Sequence, residues 1–83
     1  MYRLKEAVSH ANFLKRIKDC RGEVLFETAD GDVLNLKSQL SQFVFAASFL
    51  KPEIVQQAQV RCEEASDYEI LREYLAEVED QHG

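Results

Sequence analysis

The sequence has 83 residues, a net charge of −5 and an apolar share of 46%. This size fits a single domain spanning residues 1–83, and no apolar run approaches the roughly 20 residues that a membrane helix needs. The N-terminus lacks the continuous apolar core of a signal peptide. We therefore expect one globular domain in the cytoplasm, with no membrane partner.

Charge is unevenly distributed along the chain. The first 20 residues carry five basic and two acidic residues, whereas residues 61–83 carry eight acidic and two basic ones. We interpret both runs as solvated helix faces. An acidic domain without a basic stripe would be repelled by phosphates, so nucleic acid is not an expected partner.

The N-terminal part of the chain predicts a short strand followed by a helix. Residues 2–4, Tyr-Arg-Leu, are typical of a short edge strand. Ser9 is placed to cap a helix in which Phe13 and Ile17 recur at helical spacing. Gly22 follows the helix end, where a left-handed residue is often needed.

Residues 23–37 predict a β-hairpin. Two runs rich in β-forming residues flank the pair Asp30 and Gly31, and Asp-Gly favours a tight reversal. Alternation along both runs predicts a shared core face made of Val24, Phe26, Leu34 and Leu36.

A second helix is predicted to begin at Ser38. Apolar residues follow at spacings of three and four, namely Leu40, Phe43, Val44, Ala47 and Leu50. We expect Ser38 to be the N-cap, with its hydroxyl accepting from the N–H groups of the first turn. Pro52 then begins either a short connection or an additional helical turn.

The C-terminal part predicts a strand and a long helix. Residues 58–64 alternate, with Val60 and Cys62 inward, and residues 66–80 carry an apolar stripe behind a Ser66–Glu69 capping box. The order β-α-β-β-α-β-α predicts an α/β (α+β) open-faced sandwich. Its sheet would have four mostly antiparallel strands, with three helices on one face.

The residue types that bind metals are sparse. Cys20 and Cys62 are the two cysteines, and we interpret them as reduced core residues, with a disulfide as the alternative. A zinc site would also need His10 or His82, and the spacings match no zinc pattern. No metal and no cofactor is expected.

The element order, together with the run Leu34-Asn35-Leu36-Lys37-Ser38, resembles HPr, the histidine-containing phosphocarrier of the bacterial sugar phosphotransferase system. In that family this serine caps the second helix, and in many Gram-positive members a dedicated kinase phosphorylates it. The element order covers most of the chain, whereas close residue identity is confined to residues 31–38. The resemblance implies an HPr-like fold and makes Ser38 a candidate regulatory phosphosite. The alternative is that Ser38 is a cap and nothing more.

The chain departs from the family at the carrier histidine. Phosphocarriers hold that histidine in a His-x-Arg-Pro motif at the start of the first helix, where helix N–H groups and the Arg stabilise the phosphoryl charge. Ungapped alignment puts Glu6 near that position, and sliding the alignment puts His10 there, followed by residues 11–13, Ala-Asn-Phe. Both alignments lack the Arg and the Pro. We therefore expect no phosphocarrier chemistry, with His10 as a phosphohistidine in the alternative reading. The sequence also lacks a Gly-rich phosphate loop and a set of nucleophile, base and orienting residues, so we expect no catalytic residue and no enzyme activity.

Members of the family dock partners through apolar side chains of the second helix. The resemblance makes Leu40, Phe43 and Phe45 candidate partner-binding residues, and Phe49 is a further candidate. This helix is more apolar than a one-sided helix requires, so it is either covered by residues 51–57 or part of a partner or self-association surface.

The leading functional hypothesis is an HPr-like regulatory or protein-interaction module without phosphocarrier chemistry. Its expected partners are proteins, among them phosphotransferase-system components or HPr kinase, or a second copy in a homo-oligomer. The alternative is a divergent phosphocarrier that uses His10.

Overall fold

The computed structural model describes residues 1–78. This part of the chain forms five strands and four α-helices. The strands are β1 (Tyr2–Leu4), β2 (Val24–Glu27), β3 (Val33–Asn35), β4 (Gln59–Cys62) and β5 (Leu75–Glu77). The helices are α1 (His10–Ile17), α2 (Gln39–Ser48), α3 (Pro52–Gln57) and α4 (Asp67–Ile70), and a 3-10 turn, Arg72–Tyr74, joins α4 to β5.

The strands form one open antiparallel sheet in the order β3-β2-β4-β1-β5. The predicted α+β class with an antiparallel sheet is confirmed. The predicted counts of four strands and three helices are wrong for residues 1–78, because β5 adds a strand and Pro52 begins a helix of its own. β1 was expected at an edge of the sheet, yet it lies between β4 and β5.

One face of the sheet supports the core. Phe26 pairs in register with Leu34 and with Val60, so these side chains share a face. The Phe45 ring of α2 packs edge-on against Phe26 at 4.9 Å between centroids, and Phe13 of α1 lies 5.8 Å from Phe45. Helices α1 and α2 therefore cover this face of the sheet.

The opposite face carries an ion pair between neighbouring strands. Arg61 of β4 donates to the carboxylate of Glu27 of β2 at 2.6 Å, with both side chains partly exposed. Pairs of this kind stabilise a sheet modestly, because water screens them.

The predicted hairpin and the first helix cap are confirmed. Gly31 donates its N–H to the carbonyl of Thr28 (3.0 Å) and has φ +94°, a left-handed conformation that glycine adopts without steric cost. Of the four predicted core residues, Leu34 is partly buried and the others are fully buried. Ser9 caps α1, its hydroxyl accepting from the Asn12 N–H at 3.2 Å.

The predicted C-terminal helix over residues 66–80 is wrong. After one turn of α4 the chain passes through the 3-10 turn and becomes β5, which pairs with β1 in the register Leu4↔Leu75. Leu71 and Leu75 are buried as expected, but a turn followed by a strand buries them. Residues 79–80 of that prediction, and His82, lie outside the described residues.

The helices of residues 1–78 are short. None of them is long and apolar enough to span a lipid bilayer.

Candidate protein-docking surface

The outer face of α2 presents large apolar side chains to solvent. Leu40 is 75% exposed and Phe43 is 74% exposed, and Val44 beside them is 48% exposed. Residues three and four apart lie on the same side of a helix, so these three form one patch. We call it the α2 patch.

The segment that carries the α2 patch is uncharged. Residues 38–50, Ser-Gln-Leu-Ser-Gln-Phe-Val-Phe-Ala-Ala-Ser-Phe-Leu, contain no acidic or basic residue, although 30% of the whole chain is charged. Exposed apolar surface without charges can be buried against a partner at little desolvation cost. The α2 patch therefore has the chemistry of a protein-docking surface.

Phe45 does not belong to this surface. Its side chain is 0% exposed and packs against the rings of Phe26, Phe13 and Phe49. It points to the side of α2 opposite the α2 patch, so a partner cannot contact it without unfolding the core. The expectation that Phe45 binds a partner is thus corrected, and Phe49, partly buried against the core, is not a free anchor either.

Ser38 occupies the predicted N-cap position of α2, but its hydroxyl does not act as predicted. The residue has an extended conformation (φ −82°, ψ 131°) and makes no side-chain cap hydrogen bond. Its backbone is held instead by the N–H bond to the Asn35 carbonyl (2.9 Å) and by the carbonyl that accepts from the Gln42 N–H (3.0 Å). The side chain is exposed at the start of the helix that carries the α2 patch.

His10 is the first residue of α1, directly after the Ser9 cap. Its ring is half-buried and lies 4.8 Å, centroid to centroid, from Phe49, one residue beyond α2. Ser38 and Phe49 stand at opposite ends of α2, about 16 Å apart along the axis at 1.5 Å per residue. The two residues singled out as phosphorylation candidates therefore lie at opposite ends of this helix.

A buried carboxylate at the first position of α4 was not predicted. Asp67 is 0% exposed, and its two oxygens accept from the backbone N–H groups of Arg21 (2.9 Å) and Gly22 (2.8 Å). Burial acts to raise the pKa of Asp67, but these two bonds and the positive charges of Lys37 and Arg21 outweigh it and lower the pKa. Asp67 therefore stays ionised and ties the α1–β2 connection to the start of α4.

Lys37 extends this link to the base of α2. Its ammonium group donates to the carbonyl of Cys20 at 2.6 Å, immediately before the residues that Asp67 holds. Gly22 is needed here for space, since a Cβ on it would lie 2.9 Å from the Cβ of Glu64. The prediction that Gly22 has a left-handed backbone conformation is wrong, because Gly31 is the glycine with positive φ among residues 1–78.

The two cysteines are free and buried, as predicted. Burial, together with the nearby Cys20 and Asp67, raises the pKa of the Cys62 thiol to about 12. Burial likewise raises the pKa of Cys20. Both thiols are therefore protonated at neutral pH and poor nucleophiles. Within residues 1–78, no group of three or more His, Cys, Asp or Glu side chains is arranged to hold a metal ion.

Comparison of the chain with protein-family models, with curated proteins and with solved structures finds no match.

Proposed function

We propose that this protein is an HPr-like regulatory or protein-interaction module that docks partner proteins through the α2 patch and has no phosphocarrier chemistry. The observation that carries this function is the exposure of Leu40 and Phe43, 75% and 74%, on an uncharged helix. Exposed apolar patches that are rimmed by polar residues mark protein-interaction sites. The role is non-catalytic, and the location that goes with it is the cytoplasm.

The HPr-like assignment is supported by element order. From β1 to β4 the order is β-α-β-β-α-α-β, which differs from the expected order by the short helix α3. The run Leu34–Ser38 extends from within β3 to the N-cap of α2, as the resemblance implies. The fifth strand is a departure that the family resemblance does not account for.

The surroundings of His10 argue against a carrier role. A phosphohistidine needs donors and positive charge around the phosphoryl group. Here the N–H of Asn12 is already bonded to the Ser9 hydroxyl, and the His10 ring packs against Phe49. The observation that favours the alternative, a divergent phosphocarrier, is that His10 stands at the first position of α1.

Ser38 is the proposed regulatory position. Its exposed hydroxyl is free of a cap bond, and a phosphate there would face the N–H groups of the first turn of α2. The added negative charge would lie one turn or less from Leu40, at one end of the α2 patch. Phosphorylation would thereby change which partners the patch accepts.

Partner docking is tested by titrating the protein with the first enzyme of the phosphotransferase system and, separately, with HPr kinase, using calorimetry. We expect binding by the wild type and loss of at least about tenfold in affinity in Phe43→Asp, since a charge would have to be desolvated in the interface. Ala65→Asp, which adds the same charge at an exposed turn, is the matched control. Equal binding by both variants would contradict docking through the α2 patch.

Phosphorylation is tested by intact mass. The protein is incubated with phosphoenolpyruvate and the first enzyme, or with HPr kinase and ATP. We expect no acid-labile phosphoryl group, and an acid-stable one that Ser38→Ala abolishes. Ser66→Ala is the matched control, because Ser66 is also an exposed N-cap without a side-chain bond. An acid-labile group lost in His10→Ala would establish the phosphocarrier alternative instead.

A further inference from the structure

An apolar groove of about 400 Å³ lies between the β3 edge of the sheet and the flank of α2. Its lining includes Leu34, Val33, Val44, Ser48 and Ile54. Val33 and Val44 are 54% and 48% exposed. Since Val44 also belongs to the α2 patch, groove and patch form one continuous apolar surface.

The edge of the sheet beside this groove has outward-facing backbone groups. Within residues 1–78, β3 pairs with β2 alone. The Asp32 carbonyl accepts from the Thr28 N–H, and the Leu36 N–H donates to the Val24 carbonyl, each at 2.8 Å. Residues 32 and 36 thus direct their backbone groups toward β2.

Successive residues of a strand direct their backbone groups to opposite sides, so Val33 and Asn35 direct theirs away from β2. The Asn35 carbonyl accepts from the Ser38 N–H at 2.9 Å. The N–H and C=O of Val33 and the N–H of Asn35 face outward. An N–H and a C=O on one residue can form a reciprocal pair with an antiparallel strand.

The charges around β3 complement those of a second copy. Antiparallel alignment of two β3 strands brings the beginning of each strand to the end of the other. Asp30 and Asp32 precede the strand and Lys37 follows it. The chain ends that meet therefore carry opposite charges, although the exposed Lys37 also donates to the Cys20 carbonyl of its own chain. Residues 38–50 carry no charge, so two chains of net charge −5 approach here without opposing like charges across α2.

Most of the area of such a dimer interface has to come from side chains, because the edge strand is short. A standard interface covers about 800 Å² on each partner, roughly one-seventh of the 5649 Å² accessible surface of residues 1–83. Because β3 has three residues, its few hydrogen bonds fix the alignment, whereas the apolar area comes from the groove and from Leu40 and Val44.

We propose that two copies of this chain associate by antiparallel pairing of their β3 edges, with the α2 flanks closing over the groove on each side. The inference rests on the proposed function to the extent that Leu40 and Val44 belong to both surfaces. Self-association would regulate partner docking, because the dimer covers part of the α2 patch and so competes with the partner.

The full chain is examined alone by sedimentation velocity from about 5 to about 500 µM, which covers micromolar dissociation constants. We expect the mass to rise from 9.6 kDa to twice that value. The substitution Val33→Pro removes an outward-facing N–H that makes no hydrogen bond to β2. Proline is tolerated on edge strands, so we expect this variant to fold. It should weaken association at least about tenfold, the effect of losing one hydrogen bond from each copy.

Val33→Thr is the matched control, because it keeps the edge N–H and the β-branched shape, and it should associate within a few-fold of wild type. If Val33→Pro does not fold, as judged by circular dichroism, Val44→Asp takes its place. Amide hydrogen exchange gives an independent measurement, since the Val33 N–H should become more protected as the wild-type concentration rises.

A mass of 9.6 kDa at every concentration would overturn the inference. So would a dimer that Val33→Pro or Val44→Asp leaves intact, or one whose formation leaves Val33 exchange unchanged. Partner docking is measured separately with Phe43→Asp, so a monomeric chain that still docks its partner would reject self-association alone. A dimer formed as described by a chain without partner binding would reject the docking function alone.

Discussion

Replacing Asp67 with Asn should destabilise the protein more than any surface substitution. The carboxylate is fully buried, and each of its oxygens accepts one backbone N–H from the α1–β2 connection. Asn keeps one acceptor oxygen and replaces the other with an NH₂ group, which then faces an N–H donor. One buried N–H loses its partner, and the remaining bond loses its charge.

The expected loss in the free energy of unfolding follows from those two hydrogen bonds. A hydrogen bond to a charged group contributes about 1.5–3 kcal/mol, and a buried N–H left without a partner costs about 1–3 kcal/mol. We therefore expect Asp67→Asn to lower the free energy of unfolding by about 3 kcal/mol. Since domains of this kind are stable by about 5–15 kcal/mol, the change is large enough to measure reliably.

The assay is urea denaturation followed by far-ultraviolet circular dichroism at pH 7. Glu63→Gln, which neutralises an exposed acid, is the control and should change stability by less than about 0.5 kcal/mol. A loss below about 1 kcal/mol in Asp67→Asn would refute the view that the buried carboxylate holds this connection.

The pH dependence gives a second test of the same group. The pKa of Asp67 is lower in the folded protein than its ordinary value near 3.9. The stability it contributes is therefore fully present above about pH 4 and is lost as the pH falls through the folded pKa. Asp67→Asn should lose less stability on acidification than the wild type, and equal losses would contradict the lowered pKa.

Three further predictions concern stability and are checked by the same denaturation assay. Ser9→Ala should cost about 1 kcal/mol, whereas Ser38→Ala should cost less than about 0.5 kcal/mol, because only the Ser9 hydroxyl makes a cap bond; equal costs would show that both serines cap. Phe45→Ala should cost about 3–5 kcal/mol, and Phe43→Ala less than about 0.5 kcal/mol, following their burial; a similar cost at both positions would place Phe43 in the core. Ala7→Gly should stabilise by about 0.5–1 kcal/mol, because Ala7 has φ +62° and glycine avoids the steric cost of that conformation; destabilisation would rule out backbone strain there.

The middle of the fold could be predicted because local patterns determine it. The Asp-Gly turn and the alternation on both sides of it are contained in residues 23–37, and they gave the hairpin and its core face. The switch to helical spacing after Ser38 gave α2. Each of these signals lies within about 15 residues of chain.

The C-terminal error has a different origin. Leu71 and Leu75 are four apart, and that spacing suits either a helix or a 3-10 turn followed by a strand. The deciding interaction is the pairing of β5 with β1, about 70 residues earlier in the chain. No pattern within residues 66–80 contains that information, so local preference was overridden by a distant strand.

The docking surface could be predicted only in part. A helix with apolar residues on more than one side does not indicate which side faces the core, so Phe43 and Phe45 were equivalent candidates. The structure separates them by exposure, 74% against 0%. Asp67 was missed because its partners are backbone N–H groups, which leave no signature in the sequence.

The central claim, docking through the α2 patch, is tested most directly by mapping the contact surface. The ¹⁵N-labelled protein would be titrated with unlabelled HPr kinase, and with the first enzyme, while amide chemical shifts are followed by NMR. In the wild type, we expect the signals that shift or broaden on titration to cluster at Leu40, Phe43 and Val44. In Phe43→Asp, we expect the partner to cause no such changes. Signals that change around His10 and leave α2 unaffected, or no change with either partner, would contradict the account.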